Sequence, residues 1–424
     1  MTVVIEAGQL DLARFLRRGD HIVMGQACGE PSTLIEALIA QGRGIGDLHA
    51  FVATSFSGIF TPASADSFSL SSMGAIGSLR SMAKARKLSI IPCHFGQIGP
   101  LIQAGIISCD VAFLQVSAAD EEGNHSFGLV SDHVQAMVAK ARVIVAEIND
   151  QVPYTYGDAV LPASRIDVAV HVSRPPAQVM SNTASTIEEA IARVISDYIE
   201  DGSVLQVGVG AIPDAVMRLS RDRKDLGVHS GMLGDGYVDL VEAGVMTNAR
   251  KPFDRGIGVA CSLIGSKRLF DHAHRNTAIH MCSADITHGE SVLVRIPKLV
   301  TINSAIEVDL TGQVNAEASG SGYLGGTGGQ VDFVRAGSRS PGGHAIIALS
   351  STAKGGALSK IVPALNGPVT TARADVDIVV TEYGAAELKG QSLVERTRRL
   401  VAIAHPDFRE DLDKSAFELR RRGF

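Results

Sequence analysis

The sequence contains no tryptophan and only 5% aromatic residues, and several other features are also missing. No apolar run reaches 18 residues, so we expect no membrane-spanning helix. The opening MTVVIEAGQLDLARF has neither a basic segment nor a long apolar core, so we expect no signal peptide. Lysine and arginine (39) are outnumbered by aspartate and glutamate (45), and this net charge of −6 argues against a nucleic-acid partner. The local basic clusters at 396–399 and 420–422 lie in helical patterns and are interpreted as solvated faces.

Cysteine is also scarce, and its spacing excludes two common roles. The five cysteines include no C-x-x-C pair, so neither a disulfide framework nor a metal site is expected. An odd count without pairing favours reduced thiols in a cytoplasmic protein. Cys28, in the turn GQACGEP, is placed where a nucleophile can lie, but a small buried residue is the preferred interpretation.

The chain does have length, glycine and a regular alternation of apolar strands with short helices. Its 424 residues suit two domains of about 200 each. The alternation predicts an α/β protein with two open, mostly parallel sheets and flanking helices. A Pro/Ser/Thr-rich linker at 173–186 divides the chain into predicted domains 1–180 and 181–424. The helix after the linker is expected to be capped by Thr186 and stopped by Gly202.

Residues 203–239 carry the first motif that points to a ligand. A strand pattern at 204–207 runs into the turn GVGAIP at 208–213, and a helix is predicted from Asp214. Glycines at such a turn let backbone N–H groups approach an anion at a helix N-terminus. The dinucleotide fingerprint needs a third glycine where this chain has Pro213, so a nicotinamide site is not expected. Taken alone, the turn also fits a plain strand-to-helix connection.

Two further stretches are candidates for ligand contacts. Six glycines fall within 320–329, a density that indicates positive φ angles or a close backbone approach to a ligand. The alternative is a flexible hairpin loop. Lys354 and Lys360 follow in a loop pattern and are candidates for binding a phosphate or a carboxylate, although a loop lysine is usually solvated.

Together, motifs between residues 29 and 410 resemble the acetyl-CoA hydrolase/transferase family, the group that includes 4-hydroxybutyrate CoA-transferase. The matching stretches are GEPSTLIEAL, AEINDQVP, DGSVLQVGVGAIPDAV, LGVHSGMLGDGYVDLVEAGV, INSAIEVDLTGQVNAE, GTGGQVDFVR, SKIVP, VVTEYGAAELKG and IAHPDFRE. The resemblance implies a CoA-transferase fold in each half, with an acyl-CoA site between them. It also implies CoA or acyl-CoA as substrate without a covalently bound cofactor, with or without a carboxylic acid acceptor, and a homodimer or larger assembly.

The resemblance carries the CoA contacts over to matching positions. These are Gly208, Val209, Gly210, Ala211, Ile212, Asn303, Gly328, Gly329 and Lys354. The catalytic residue does not carry over. The family's motif H-[ST]-E-M-x-x-D-G reads HSGMLGDG here, which puts Gly231 at the position of the glutamate nucleophile. The family's asparagine partner, in a D-x-x-N pattern, is His288.

Covalent CoA transfer needs a carboxylate that holds the acyl group and then CoA, and glycine cannot supply it. We expect the missing side chain to leave a space for water or for part of a bulkier substrate. Histidine is a general base near neutral pH, which asparagine is not, so His288 is the candidate base. A packing role for His288 is the alternative.

Three other residues are weighed beside this pair. Asp235 is expected to shape its turn, with proton transfer as the alternative, and His229 is expected to line the mouth of the site. Glu307 is the alternative nucleophile, although its segment looks structural.

Three functions therefore stay open. The first is hydrolysis of an acyl-CoA, or hydrolytic C–C cleavage of a β-keto acyl-CoA, with water activated by His288. The oxyanion would be held by backbone N–H groups of the 208–212 turn and near Gly329. The second is CoA transfer between carboxylic acids with another carboxylate as nucleophile. The third is a non-catalytic acyl-CoA-binding protein.

Overall fold

The first half of the chain builds an open sheet whose strands all run parallel. The computed structural model describes residues 2–158, 160–181, 183–320 and 322–423. The strands of this sheet are β1 Val3–Glu6, β2 His21–Met24, β3 His49–Phe51, β4 Ser69–Ser72, β5 Leu88–Ile90, β6 Val111–Val116, β7 Val143–Asn149 and β8 Val168–Val172. They pair in the order β1-β8-β7-β6-β2-β3-β4-β5. All six residues of β6 are buried, as expected for a central strand that is covered on both faces.

The second half builds a six-stranded sheet of the same kind. Its strands are β9 Val204–Val207, β10 Gly227–Val228, β11 Leu299–Ser304, β12 His344–Ala348, β13 Ile378–Thr381 and β14 Gly384–Glu387. The order is β10-β9-β11-β12-β13-β14, and all pairs are parallel except the hairpin of β13 and β14. The first sheet ends at Val172 and the second begins at Val204. The domain boundary near residue 180 stays a prediction.

Helices connect the strands and cover both sheets. They are α1 Ser32–Ile45, α2 Leu79–Lys84, α3 Ile98–Gln103, α4 Val134–Lys140, α5 Thr186–Ser196, α6 Ala211–Leu219, α7 Asp235–Glu242, α8 Lys267–Ala273, α9 Ala284–Thr287, α10 Glu290–Leu293, α11 Gln330–Arg339, α12 Leu393–Ala402 and α13 Pro406–Arg421. Short strands form small ribbons between these elements. They lie at Asn124–Ser126, Tyr156–Gly157, Val160–Pro162, Met232–Leu233, Gly258–Ala260, Ser262–Leu263, Ile279–Met281, Glu307–Asp309, Val314–Asn315, Ala318–Ser319, Gly322–Tyr323, Thr352–Ala353, Leu358–Ser359 and Ile361–Val362.

Two helices differ from their sequence-based predictions. The helix predicted from Asp214 begins three residues earlier, at Ala211, because Pro213 fits the first helical turn, where its missing N–H has no intrahelical partner. Ser185, not Thr186, caps α5: its hydroxyl accepts from the Glu188 N–H, and the Glu188 carboxylate accepts from the Ser185 N–H. That helix ends at Ser196, before the predicted stop at Gly202. Asn182 of the predicted linker lies outside the described residues.

The two halves share one apolar core and several backbone hydrogen bonds. The largest buried cluster includes Val23 and Ala112 from the first sheet together with Leu205 and Ile302 from the second. A large hydrophobic contact of this kind holds two domains in a fixed relative position. Backbone bonds join the halves from Ala75 N to Gly325 O (2.7 Å), from Phe95 N to Gly328 O (2.9 Å) and from Leu263 N to Leu129 O (2.8 Å).

The glycine run 320–329 owes part of its composition to this interface. Gly74 pairs with Gly326 across the two halves, and a Cβ added at Gly74 would lie 2.5 Å from the Gly325 carbonyl oxygen. The close backbone approach predicted for the run is therefore partly an approach to the chain's own first half. Gly328 and Gly329 lie further along and face a cavity.

Replacement of Gly74 by alanine should loosen this contact. The added methyl group meets a backbone carbonyl, so we expect a loss of ~1–3 kcal/mol in the free energy of unfolding, measured by denaturant titration. Gly44, exposed in α1 with nothing within 4 Å of an added Cβ, provides the matched control. Gly44→Ala should be neutral or stabilising by ~0.5–1 kcal/mol. Equal effects at both positions would contradict the close approach.

Candidate active site

A cavity of about 350 Å³ lies between the two halves, beyond the carboxyl ends of their strands. This edge is where open α/β sheets bind ligands. The lining residues are Gln26, Ala27, Thr54, Phe56, Met73, Ile76, Arg80, Phe95, Gln206, Gly208, Val209, Gly231, Met232, Ser262, Ile264, His288, Asn303, Ser304, Ala316, Gly325, Gly326, Thr327, Gly328, Gly329, Gln330 and Phe333. This lining, which consists entirely of described residues, contains no aspartate or glutamate.

The glycine turn after β9 borders this cavity. Gly208 and Val209 lie in its wall, and Gly210 has a φ of +127°, a conformation that favours glycine. Helix α6 starts directly afterwards, so the unpaired N–H groups of its first turn lie beside the cavity. Ala211 and Ile212 form that first turn, and Ile212 faces an adjoining cleft.

A second helix begins at the same cavity. Gly329 is the N-cap of the ten-residue helix α11, and Gly328 before it has a φ of +55°. The side chain of Gln330 is held by its neighbours, since Nε2 donates to the Ser304 carbonyl at 2.8 Å. Two helix N-termini therefore flank one cavity, which favours negative charge developing inside it.

The imidazole of His288 fills the place where a side chain at position 231 would begin. A Cβ added at Gly231 would lie 2.8 Å from His288 Cε1 and 2.9 Å from Nε2, and one added at Gly329 would lie 2.6 Å from Nε2. The ring packs against Phe95 and Phe333, with centroid separations of 4.8 and 4.5 Å. The expectation of an empty space above Gly231 is therefore wrong, because the imidazole occupies it.

The hydrogen bonds of His288 assign its tautomer. Nδ1 lies 2.9 Å from the hydroxyl oxygen of Thr287, and that hydroxyl donates to the Ser283 carbonyl. The tautomer that satisfies both bonds has the proton on Nδ1, and in that tautomer Nε2 presents its lone pair beside Gly231 and Gly329. Burial lowers the pKa of His288 to about 3, so the ring is neutral at physiological pH. His288 thus combines the packing role with an acceptor at the cavity wall.

The structure places Asp235 and His229 outside the cavity lining. The Asp235 carboxylate accepts from the Ser266 N–H (3.0 Å) and hydroxyl (2.8 Å), which ties two turns together. His229 is fully buried and does not line the mouth as predicted; its Nε2 lies 3.1 Å from the Ile286 carbonyl. Burial lowers the pKa of His229 to about 4.

The alternative nucleophile Glu307 also lies away from the cavity lining. Its carboxylate accepts a hydrogen bond from the Asn315 side chain at 3.0 Å. Asn303 does line the cavity, where its amide donates to Gln206 Oε1 at 3.2 Å. The cavity thus contains the predicted asparagine and excludes the predicted substitute carboxylate.

Lys354 and Lys360 lie in a second cleft of about 610 Å³, which shares Ser304 with the cavity. Ile212 also lines this cleft. Seven of the nine predicted CoA contacts are therefore divided between two adjoining spaces, and Gly210 and Ala211 line neither. Cys28 is fully buried, and burial raises its pKa to about 12, so it is a packing residue and not a thiolate.

Sequence reasoning missed several cavity residues from the first half. Gln26 lies in the cavity wall, and its amide donates to the buried carboxylate of Asp132. Burial opposes ionisation of the Asp132 carboxyl. Its pKa is nevertheless lowered, because His133 Nδ1 lies 2.8 Å from the carboxylate and hydrogen bonds from His133 and Gln26 stabilise the charged form. Gln26 lies two residues after the end of β2 at Met24, so its place near a strand end was a signal available in the sequence.

Within the described residues, no group of three potential metal ligands was found. In the same part of the chain, no helix combines the length and apolarity needed to cross a bilayer.

Comparison with known proteins identifies the family of the chain. Residues 6–200 match the acetyl-CoA hydrolase/transferase N-terminal domain, and residues 265–416 match the C-terminal domain of the same family. The chain therefore belongs to the acetyl-CoA hydrolase/transferase family. It is an enzyme of acyl-CoA thioester chemistry with a CoA-transferase fold.

Relatives include both transferases and hydrolases. The 4-hydroxybutyrate coenzyme A transferase of Clostridium kluyveri is 38% identical over 396 residues, which cover 92% of each chain. An acetyl-CoA hydrolase of Yarrowia lipolytica is 26% identical, covering 72% of this chain and 65% of that protein. The crystal structure of RipA from Yersinia pestis superposes with a TM-score of 0.91 at 32% identity, covering 99% of this chain and 97% of that one.

An alanine at Gly231 tests the contact with the imidazole. Because its Cβ would collide with His288, Gly231→Ala should reduce the free energy of unfolding by ~1–3 kcal/mol. The same substitution in a His288→Ala background should cost less, because the ring is gone. A double-mutant cycle from denaturant unfolding measures this coupling, and additive effects would contradict it.

Proposed function

We propose that this protein hydrolyses a small acyl-CoA thioester by direct attack of water. The observation that supports this most strongly is the cavity lining, which has no carboxylate and has the His288 imidazole against Gly231. A glutamyl-CoA intermediate needs a carboxylate at the reacting carbon. In its absence, we propose water as the nucleophile, with the His288 imidazole beside it.

The reaction would proceed as follows. Water attacks the thioester carbonyl carbon while His288 Nε2 accepts its proton, and the carbonyl oxygen becomes an oxyanion. The N–H groups at the starts of α6 and α11 stabilise that charge. The carbon–sulfur bond then breaks, and the proton on Nε2 passes to the CoA sulfur. The products are a carboxylic acid and free CoA.

We also propose where CoA lies in the two spaces and where the protein acts. CoA would extend from the cavity into the adjoining cleft, with Gly208 to Ile212, Asn303, Gly328 and Gly329 beside its thioester end. Lys354 would lie at its phosphate end. We also propose a cytoplasmic location, which the five cysteines without a C-x-x-C pair favour, and a homodimer or larger assembly, which the family resemblance implies.

A product assay decides between hydrolysis and transfer. The protein is mixed with acetate and a series of acyl-CoA esters, and free thiol and acetyl-CoA are measured together. Thiol release without acetyl-CoA is the expected result. Acetyl-CoA formation, or a glutamate at position 307 reduced by borohydride after acyl-CoA treatment, would refute hydrolysis. Binding without either product would indicate a non-catalytic protein.

His288→Ala should lower kcat by ~10²-fold, the low end for a general base, because a base with a pKa of about 3 is a weak proton acceptor at neutral pH. His171→Asn, on the exposed end of β8, is the control and should keep full activity.

The pH profile should also identify His288. Because burial holds its pKa at about 3, its base form persists as the pH falls, so kcat should show no inflection near 6.5. A loss of activity centred near the ordinary histidine pKa would show that a different group is the base.

Transfer activity should return when both family residues are restored. Gly231→Glu combined with His288→Asn supplies a carboxylate and removes the ring that would collide with it. We expect the double variant to form acetyl-CoA from acyl-CoA and acetate, which the wild type should not do. Gly231→Glu alone retains the collision and should be less stable than the double variant. No transfer by a folded double variant would contradict the assigned correspondence.

A further inference from the structure

Arg80 is the one side chain in the cavity lining that is charged at neutral pH. The lining consists entirely of described residues; it contains no lysine, aspartate or glutamate, and His288 is neutral there. Nearby wall residues from the same half, Phe56, Met73 and Ile76, are apolar. A single cation in such a lining favours a ligand that carries a negative charge at the end that lies beside Arg80.

The guanidinium of Arg80 is held in place from the opposite half. Its Nε donates to the Leu324 carbonyl at 2.9 Å, across the domain interface. That bond uses one of five N–H groups and leaves the two terminal nitrogens for a ligand. Among the described residues, no aspartate or glutamate forms an ion pair with Arg80, so its charge is not neutralised by a carboxylate of the chain.

The nucleotide end of CoA is not the natural partner of this arginine. The lysines that suit phosphates, Lys354 and Lys360, lie in the other cleft, which meets the cavity at Ser304. Arg80 comes from α2 in the first half, whereas both lysines come from the second half and line a cleft that Arg80 does not line. In the CoA orientation of the proposed function, with the phosphates in the lysine cleft and the thioester in the cavity, Arg80 is the cation of the lining that is left for the acyl group.

We infer that Arg80 is a specificity-determining residue that binds a carboxylate at the far end of the acyl group. The substrate class is then a monothioester of a small dicarboxylic acid. A guanidinium binds a carboxylate through paired N–H groups, a geometry that neither lysine nor glutamine reproduces. This inference rests on the proposed function for the orientation of CoA. It specifies the chemical group at the end of the acyl chain opposite the thioester, which the hydrolysis reaction by itself does not specify.

Binding of uncleavable CoA thioethers tests the inference without depending on catalysis. S-(3-carboxypropyl)-CoA and S-butyl-CoA have alkyl groups of equal carbon count and differ in the terminal carboxylate. By titration calorimetry, the wild type should bind the carboxypropyl thioether ~10-fold more tightly than S-butyl-CoA. This ratio is at the lower end of the range for a hydrogen bond to a charged group, because Arg80 is partly solvated. Arg80→Gln should abolish this preference and leave the Kd of S-butyl-CoA unchanged.

Three further measurements complete the design. Arg80→Lys should restore part of the preference, and Lys84→Gln, an exposed change on the same helix, should leave it intact. If Arg80→Gln weakens free CoA and both thioethers equally, the arginine binds a phosphate and the inference is overturned. Equal wild-type affinity for the two thioethers overturns it as well.

Turnover separates this inference from the proposed function. Succinyl-CoA and butyryl-CoA are compared by thiol release in wild type and Arg80→Gln. A carboxylate preference in binding without thiol release from either ester would refute hydrolysis and leave the Arg80 subsite intact. Hydrolysis of both esters at equal kcat/KM would support the proposed function and overturn the subsite.

Discussion

The contact of one imidazole with two glycines determines what this active site can do. His288 lies against Gly231 and Gly329, so the ring occupies volume that side chains at either position would need. Phe95 and Phe333 support the ring, and Thr287 fixes its tautomer. The cavity consequently has an uncharged acceptor beside Gly231, the position that the family resemblance assigns to a glutamate nucleophile. Burial in that packing arrangement lowers the pKa of His288, and the proposed attack by water depends on the same arrangement.

The position of that ring depends in turn on how closely the two halves approach. Phe95 comes from the first half, and its N–H donates to the carbonyl of Gly328 in the second. The pairing of Gly74 with Gly326 sets the same separation a few residues away. The glycines of the loop at residues 320–329 therefore have two structural roles. Some glycines admit the other half of the chain, and others leave backbone N–H groups open to the cavity.

The sequence was sufficient for the fold class and the family, because apolar strand patterns and motif order depend on local residues. It also located the Gly208 turn and Gly329. It was insufficient wherever the answer depended on which distant segments meet. The substitution of Gly231 was interpreted as a vacancy, yet the ring that fills it comes from a segment more than fifty positions later. Glu307 was a reasonable alternative by motif, and its bond to Asn315 places it elsewhere. Arg80 carries no motif, and only the meeting of two domains gives it significance.

The collision at Gly231 also restricts the order in which the two positions can change. A glutamate introduced first meets the imidazole, so that intermediate carries the full steric penalty. Replacement of His288 by the smaller asparagine comes first without such a collision, and leaves a transient hole between Phe95 and Phe333. Stepwise substitution at these two positions therefore has a preferred order. The histidine at position 288 is replaced first when a glutamate is gained at position 231. When the glutamate is lost, its replacement comes first and the histidine is introduced afterwards.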